Sequence, residues 1–445
     1  MAPMHIWSSS RALAVEEILF NILQECDISM LYPCMTVCKQ WSGIALDAAW
    51  YKVDDPTSLF NLLTGLASGF GTGNSIVYKY RSRIQAQDLD RFINYSSRIR
   101  CLRFLQQADR EYTTDDWTHA VRSVACMPFS RPLFPHLKEL LLTAPAASFH
   151  GLADASVSLM QPSVLKFTLQ TPAVPLDDDA LAGYFQAIRL RMPHLQSFEM
   201  NMTNTRLDSD ALLDNLFDLL YELPNLQSLA LPEIAKPPSF VLPRLATLPM
   251  LQHLIFTPYS IDEVVKPLGV NVDEYAAWPL EPNSFPCLQR LETECSFTPI
   301  ARFFLQTHHP RNLRHLDITS GIPERPDAIR HFLTAFAAAS PHAESVRLVY
   351  RNDRRLPQKF KDLSIIPSLI PSPYHIEPLF HCRALKSFEF AHPYSINWQG
   401  SDVDRLASAW PLLELLDLTP CPQLRSPSLS MTSRLLRRSV LGCTR

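Results

Sequence analysis

The chain has 445 residues, 47% hydrophobic and 19% charged, with a formal net charge of −3. That is a core-forming composition, which excludes a disordered chain, and the near-neutral charge gives no reason to expect non-specific binding to nucleic acid or an acidic membrane surface. Ten cysteines without dense spacing do not read as a disulfide framework, and 37 prolines against 11 glycines raise the question of where the prolines fall. The first ten residues have no signal-like apolar segment, and no run of about 18 apolar residues suits a membrane span. An intracellular, reducing compartment, cytoplasm or nucleus, is therefore expected. The sequons at Asn94 and Asn201 would matter only in a secreted protein.

Val15, Ile18, Leu19, Ile22 and Leu23 fall at the spacing of one helical stripe. Asp27 follows as a breaker or cap. A second stripe runs through Cys34, Val37, Cys38, Trp41, Ile44 and Ala45, with Pro33 expected at a helix start. Two or three short helices in about 40 residues make a very small core, which is marginal alone and completes itself against a partner.

Several phrases here resemble the F-box: Glu17-Ile18-Leu19, Ile22-Leu23, Val37-Cys38-Lys39-Gln40-Trp41 and Ala45-Leu46-Asp47-Ala48-Ala49-Trp50. The resemblance is closest to the large fungal set of F-box proteins. These continue with a leucine-rich segment, here 58–63, and an acidic-aromatic helix, here Asp88-Leu89-Asp90-Arg91-Phe92. One departure is Glu16, where the family usually has proline. The resemblance implies a non-catalytic substrate-recognition subunit of a cullin-type (SCF) ubiquitin ligase. Its F-box would bind a Skp-type adaptor, and through it a cullin, while the rest of the chain holds a protein substrate. On that reading Leu13, Val15, Ile18, Leu19, Ile22, Pro33, Val37 and Trp41 contact the adaptor. The other reading of the same residues is an intramolecular cap on the array that follows, with no ubiquitin role.

Residues 51–96 read as a helical linker with a glycine-rich loop at Gly65, Gly69, Gly71 and Gly73. Its spacing does not suit a phosphate cradle.

From residue 97 one phrase recurs: proline, any residue, a leucine-type residue, two variable, an apolar, one variable, an apolar. It opens on Pro135, Pro162, Pro193, Pro224, Pro249, Pro286, Pro341 and Pro411. Three further copies keep only the apolar spacing: Ile99-Leu102-Phe104, Leu313-Leu316-Ile318 and Leu385-Phe388-Phe390. Eleven copies, 25 to 42 residues apart, predict stacked units in which each short strand shows one buried face. Amphipathic helices are expected between them at Ala180–Arg191, Ala211–Glu222, Ile300–Gln306, Ala328–Ala339 and Val403–Ala409. Asp208 and Ser401 are the expected caps, and Pro299 and Pro326 the expected N1 prolines. The expected fold is α/β: a small N-terminal all-α F-box at 11–50, then a leucine-rich-repeat-like solenoid at 97–419. Its repeats are degenerate, because they lack the consensus Asn or Cys.

If the strands form a concave wall, the residue between the last two apolars of each copy faces outward. That row is Leu141, Thr168, Glu199, Ala230, Ile255, Glu292, Asp317, Arg347, Glu389 and Asp417, extended by Glu294. Its acidic excess suggests a substrate presenting Lys or Arg; a solvated face without a partner is the alternative. The stretch 351–373, with Arg354-Arg355 and several prolines, reads as an exposed excursion. The basic, serine-rich tail at 420–445 reads as poorly ordered, leaving the last strand without a cap.

No motif for enzymatic chemistry, cofactor or metal is expected. Cys34 and Cys38 lack a matching pair, Asp177-Asp178-Asp179 suits a helix N-terminus, and His308-His309 suits a helix C-terminus.

Overall fold

The computed structural model describes residues 15–54, 57–63, 66–70, 76–80, 86–104, 132–143, 156–171, 178–202, 207, 209–232, 234, 238–256, 280–321, 323–350, 369–394, 396 and 398–418. Leu13, Asp177, the excursion through residue 368 and the tail lie outside the described residues.

Three helices open the chain: α1 (Glu16–Gln24), α2 (Ile28–Cys34) and α3 (Lys39–Tyr51). Their core is Leu19, Leu23, Leu31, Ile44 and Ala45, with Phe20, Met35 and Trp41 packed at its margin. The second predicted stripe is broken between α2 and α3. Pro33 lies inside α2, near its end, and not at a helix start. Cys38 is the N-cap residue of α3, so Cys34 and Cys38 do not share a helix. Both corrections have one cause: a stripe read by spacing alone cannot register a four-residue break that happens to preserve the period.

The chain divides into two compact units, Met1–Phe198 and Glu199–Arg445. Each is a two-layer stack of parallel strands and helices. In the first unit, α3 runs straight into β1 (Lys52–Val53), which pairs in parallel with β4 (Cys101–Phe104). The linker holds α4 (Thr57–Phe60), then β2 (Leu66–Phe70) and β3 (Ile76–Tyr80) as an antiparallel hairpin, then α5 (Ala86–Ser96). The glycine-rich run is therefore more than a loop: Gly69 pairs with Val77 within the hairpin. Next come β5 (Glu139–Thr143), β6 (Lys166–Thr171), α6 (Asp178–Arg191) and β7 (Ser197–Met202), which straddles the division. Phe92 of α5 is fully buried between Phe60 and Phe134, at centroid distances of 6.2 and 6.1 Å.

The second unit continues with α7 (Asp210–Tyr221), β8 (Ser228–Leu231), α8 (Pro238–Leu245), β9 (His253–Phe256), β10 (Arg290–Glu294) and α9 (Phe297–Phe304). It ends with β11 (His315–Ser320), α10 (Pro326–Ala339), β12 (Ser345–Tyr350), α11 (Pro373–Ile376), a 3-10 turn at Glu377–His381, β13 (Ser387–Ala391), α12 (Gly400–Ala409) and β14 (Leu415–Asp417). From β8 onward each strand pairs in parallel with the next in sequence. The eleven predicted copies account for eleven of the parallel strands among the described residues. The twelfth is β1, which belongs to no copy.

The recurring proline has a defined place. In seven copies it is the second residue of a β-turn whose first carbonyl accepts from the leucine-type N–H. Examples are Leu195 N to Met192 O at 3.2 Å and Ala343 N to Ser340 O at 3.1 Å. A fixed φ near −65° suits that position, and proline's missing N–H is not needed there. The residue before it leaves the helical region, as at Ser340 (ψ 64°) and Trp410 (ψ 72°). The turn aims the next two N–H groups at a single carbonyl of the preceding repeat. Arg314 O accepts from Glu344 N (2.8 Å) and Ser345 N (3.0 Å), and Arg100 O accepts from Lys138 N (2.7 Å) and Glu139 N (2.9 Å). Strand register is thereby set before the strand begins.

Helix ends were less legible. Ser209, not Asp208, caps α7 through Leu212 N, and Gln399, not Ser401, caps α12 in a capping box with Asp402. Pro326 does open α10, but α9 begins at Phe297, so Pro299 is its third residue. The helix α8 was not anticipated. Pro243 inside it masks the pattern. α9 and α10 meet through aromatic side chains, with Phe297–Phe332 at 5.1 Å and Phe304–Phe336 at 5.2 Å.

One polar layer is buried in the second unit. Glu324 accepts from Phe297 N (2.9 Å) and Ser320 Oγ (2.8 Å), covering the start of α9 from the following repeat. His392 Nε2 faces Glu324 O at 3.2 Å, and Tyr394 N donates to its Nδ1 at 3.2 Å. Burial lowers the His392 imidazole to about 4, while burial raises the Glu324 carboxyl despite its two donors. A histidine depressed by folding stabilises fully above its unfolded value of 6.5 and loses that contribution as pH falls. Glu324 works in the opposite sense, losing its contribution as pH rises above the ordinary carboxylate range. Between pH 6.5 and 5, where ordinary carboxylates stay charged, His392 should cost about 1.5 kcal/mol of stability. Denaturant titrations at both pH values should show a loss larger by about 1.5 kcal/mol in the native chain than in His392→Gln; an equal loss in both would contradict it.

Candidate functional site

The α1 stripe is wider than one packing contact, and the fold splits it. Leu19 (1% exposed) and Leu23 turn inward, whereas Val15, Ile18 and Ile22 face solvent, Ile18 and Ile22 at 42% and 47%. Leu19 is therefore a core residue, which corrects its expected place in a contact face. Pro33 and Val37 are exposed and Trp41 is half-buried against the core. Three more exposed apolar side chains, Ile28, Met30 and Tyr32, lie on α2. Sequence reasoning missed them because they alternate with Leu31, which points inward. These helices are also tied to the array: Arg98 pairs with Asp47, Arg100 N donates to Tyr51 O at 2.9 Å, and Trp50 packs on Tyr95 at 4.8 Å.

The strand row is in register, but not all of it faces outward: Thr168 and Ala230 are buried. In the second unit Ala230, Ile255, Glu292, Asp317, Arg347, Glu389 and Asp417 are successive register partners. In the first, Leu141 pairs with Thr168, and Thr168 is buried. Glu199 lies half-buried on β7, and Glu294 is paired in register with Thr319. The acids are not an open negative row, however. Arg347 reaches Asp317 at 3.0 Å and Glu389 at 2.8 Å, and Arg290 pairs with Glu292. The expected row already placed Arg347 between Asp317 and Glu389; the count of acids left out that it pairs with both.

Buried thiols lack the setting of nucleophiles. Burial pushes Cys295 up to about 12 and Cys382 up to about 11. Among the described residues no group of three His, Cys, Asp or Glu could hold a metal ion. Nor is any described helix long and apolar enough to cross a membrane.

Comparison with known proteins agrees with the first helices. A family model described as F-box-like matches residues 16–55, spanning α1 to β1. No curated protein matches the chain. Among solved structures, a chain of the yeast Rad7 and Elc1 complex is similar over 96% of this chain and 94% of its own length, at 15% identity and a TM-score of 0.38. The chain thus carries an F-box-like domain at its N-terminal end, followed by a leucine-rich-repeat-like α/β array.

Proposed function

We propose that this protein is a non-catalytic substrate-recognition subunit of a cullin-type ubiquitin ligase, of the fungal F-box kind with degenerate leucine-rich repeats, working in the cytoplasm or nucleus. Residues 11–50 bind a Skp-type adaptor, and through it a cullin. Residues 51–96 join them to the array, and the array at 97–419 holds a protein substrate. What carries this reading is the F-box-like match together with Val15, Ile18, Ile22, Pro33 and Val37 facing outward from a core that is already complete without them. A helical unit needing only to cap an array would place its apolar surface against that array.

A second reading has its own support. Because α3 continues directly into β1 and β1 pairs with the first repeat strand, these helices do close the end of the stack. The protein would then be a leucine-rich-repeat scaffold without a ubiquitin role. Adaptor binding separates the two. Ile18→Lys with Ile22→Lys in the full chain should leave the unfolding transition in place and abolish co-purification with a Skp-type adaptor. Leu19→Ala should instead lower stability by about 2–5 kcal/mol. Adaptor binding undiminished in a folded Ile18→Lys, Ile22→Lys chain would favour the scaffold.

For the substrate, the outward row of Glu199, Glu292, Glu294, Asp317, Arg347, Glu389 and Asp417 is the proposed contact surface, with Lys or Arg on the partner. Such a partner competes with Arg347 for Asp317 and Glu389, so recognition is an exchange of ion pairs and weakens with salt. Glu292→Lys, Asp317→Lys and Glu389→Lys together should remove proximity-labelled partners from the full chain in cells while adaptor binding persists; an unchanged partner set would rule the row out.

A further inference from the structure

The acidic row has a neighbour of opposite character two residues back along the same strands. Ser228, His253, Arg290, His315, Ser345 and Ser387 are successive register partners. Side chains two apart on a strand share a face, so both rows lie on one side of the sheet. Within this second row Arg290 stands between His253 on β9 and His315 on β11. His253 and Arg290 are exposed, and His315 is half-buried. Adjacent strands lie about 4.8 Å apart, so the three residues span about 10 Å of the sheet face.

The charges around this trio favour an anion. Glu292 engages Arg290 through Nε and Nη2, one edge of a guanidinium that carries five donors. Glu344, whose charge reaches His315, is held by Lys386 at 2.7 Å and Arg314 at 3.1 Å. Asp317, further along β11, is held by Arg347 at 3.0 Å. Ser228 and Ala230 of β8 carry no charge. Among the described residues, each of these carboxylates is thus already matched by a cation. Desolvation and the charge of Arg290 lower His253, against the pull of Glu292. Desolvation lowers His315 as well, with Arg290, His253 and Arg314 adding to it against Glu344. While the imidazoles are neutral they sit beside Arg290 at little cost. Once protonated they put three like charges side by side, a repulsion that a bound anion relieves.

A carboxylate suits this setting better than a nucleic-acid backbone. Arg290, Arg314 and Lys386 each engage a carboxylate within the chain. An aspartate, with an ordinary value of about 3.9, stays charged throughout the range in which imidazoles take up protons. Three donor side chains over about 10 Å match one or two acidic residues, not a long polyanion.

We propose that His253, Arg290 and His315 form a binding site for an acidic protein segment, one whose grip tightens as pH falls. A bound carboxylate favours the protonated imidazoles, so binding takes up protons and affinity grows between pH 7.5 and 5.5. The site depends neither on the adaptor reading nor on the acidic row binding Lys or Arg.

Binding of fluorescent hexa-aspartate to the full chain at fixed ionic strength tests it. Affinity should be about tenfold higher at pH 5.5 than at pH 7.5. In His253→Gln with His315→Gln that gain should fall to about twofold, whereas Arg290→Gln should weaken binding at both pH values. None of the three side chains is part of the core, so the unfolding transition should stay in place in these variants. Equal affinity of the native chain at both pH values, or no binding at either, overturns the proposal without recourse to a variant. So does a gain undiminished in the double-histidine variant, which would put the anion elsewhere. Tighter binding of hexathymidylate than of hexa-aspartate would overturn it in favour of a phosphodiester.

Discussion

Each helix–strand repeat in this chain presents an apolar edge that it cannot bury by itself, and every other feature of the fold answers that constraint. The proline-led turn is the device that makes stacking regular. It ends one helix and directs two N–H groups onto one carbonyl of the previous repeat, which fixes the register. Because that register repeats from β8 to β14, the residues between the last two apolars of each copy line up as one row, and their charges meet. The Asp317–Arg347–Glu389 arrangement follows from strand pairing. No local sequence feature specifies it.

The same constraint separates two roles in the N-terminal helices. Leu19, Leu23, Leu31, Ile44 and Ala45 form a core that leaves Ile18, Ile22 and Val37 exposed. Meanwhile the end of α3 meets the first repeat through Arg98–Asp47 and the β1–β4 pairing. One small helical unit thus closes the stack with one part and presents an apolar face with another. The proposed docking is compatible with capping because different side chains would serve each.

Much of this was legible in the sequence, for identifiable reasons. All eleven copies landed on strands, since the apolar spacing, led by proline in eight of them, reports burial directly. The fold class and the outward row followed from that. What stayed hidden depended on contacts distant in sequence. Leu19 and Ile18 are neighbours with the same chemistry, and only packing against Leu31 and Ala45 decides which turns inward. Spacing did not resolve the break between α2 and α3, because the apolar period passes through it unchanged. Ser209 and Gln399 displaced the expected caps because which polar residue caps a helix depends on where its first turn settles. β1 was missed because two residues carry no period at all.

The division of the first helices into an inner core and an outward face is the claim on which the proposed function rests. Mass-spectrometric hydrogen exchange of the full chain, with and without a purified Skp-type adaptor, tests it most directly. Protection should appear on α1, which bears Ile18 and Ile22, and from α2 into the turn that bears Val37, and leave the strands β10 to β13 unchanged. Protection confined to those strands, or none anywhere at saturating adaptor, would contradict it.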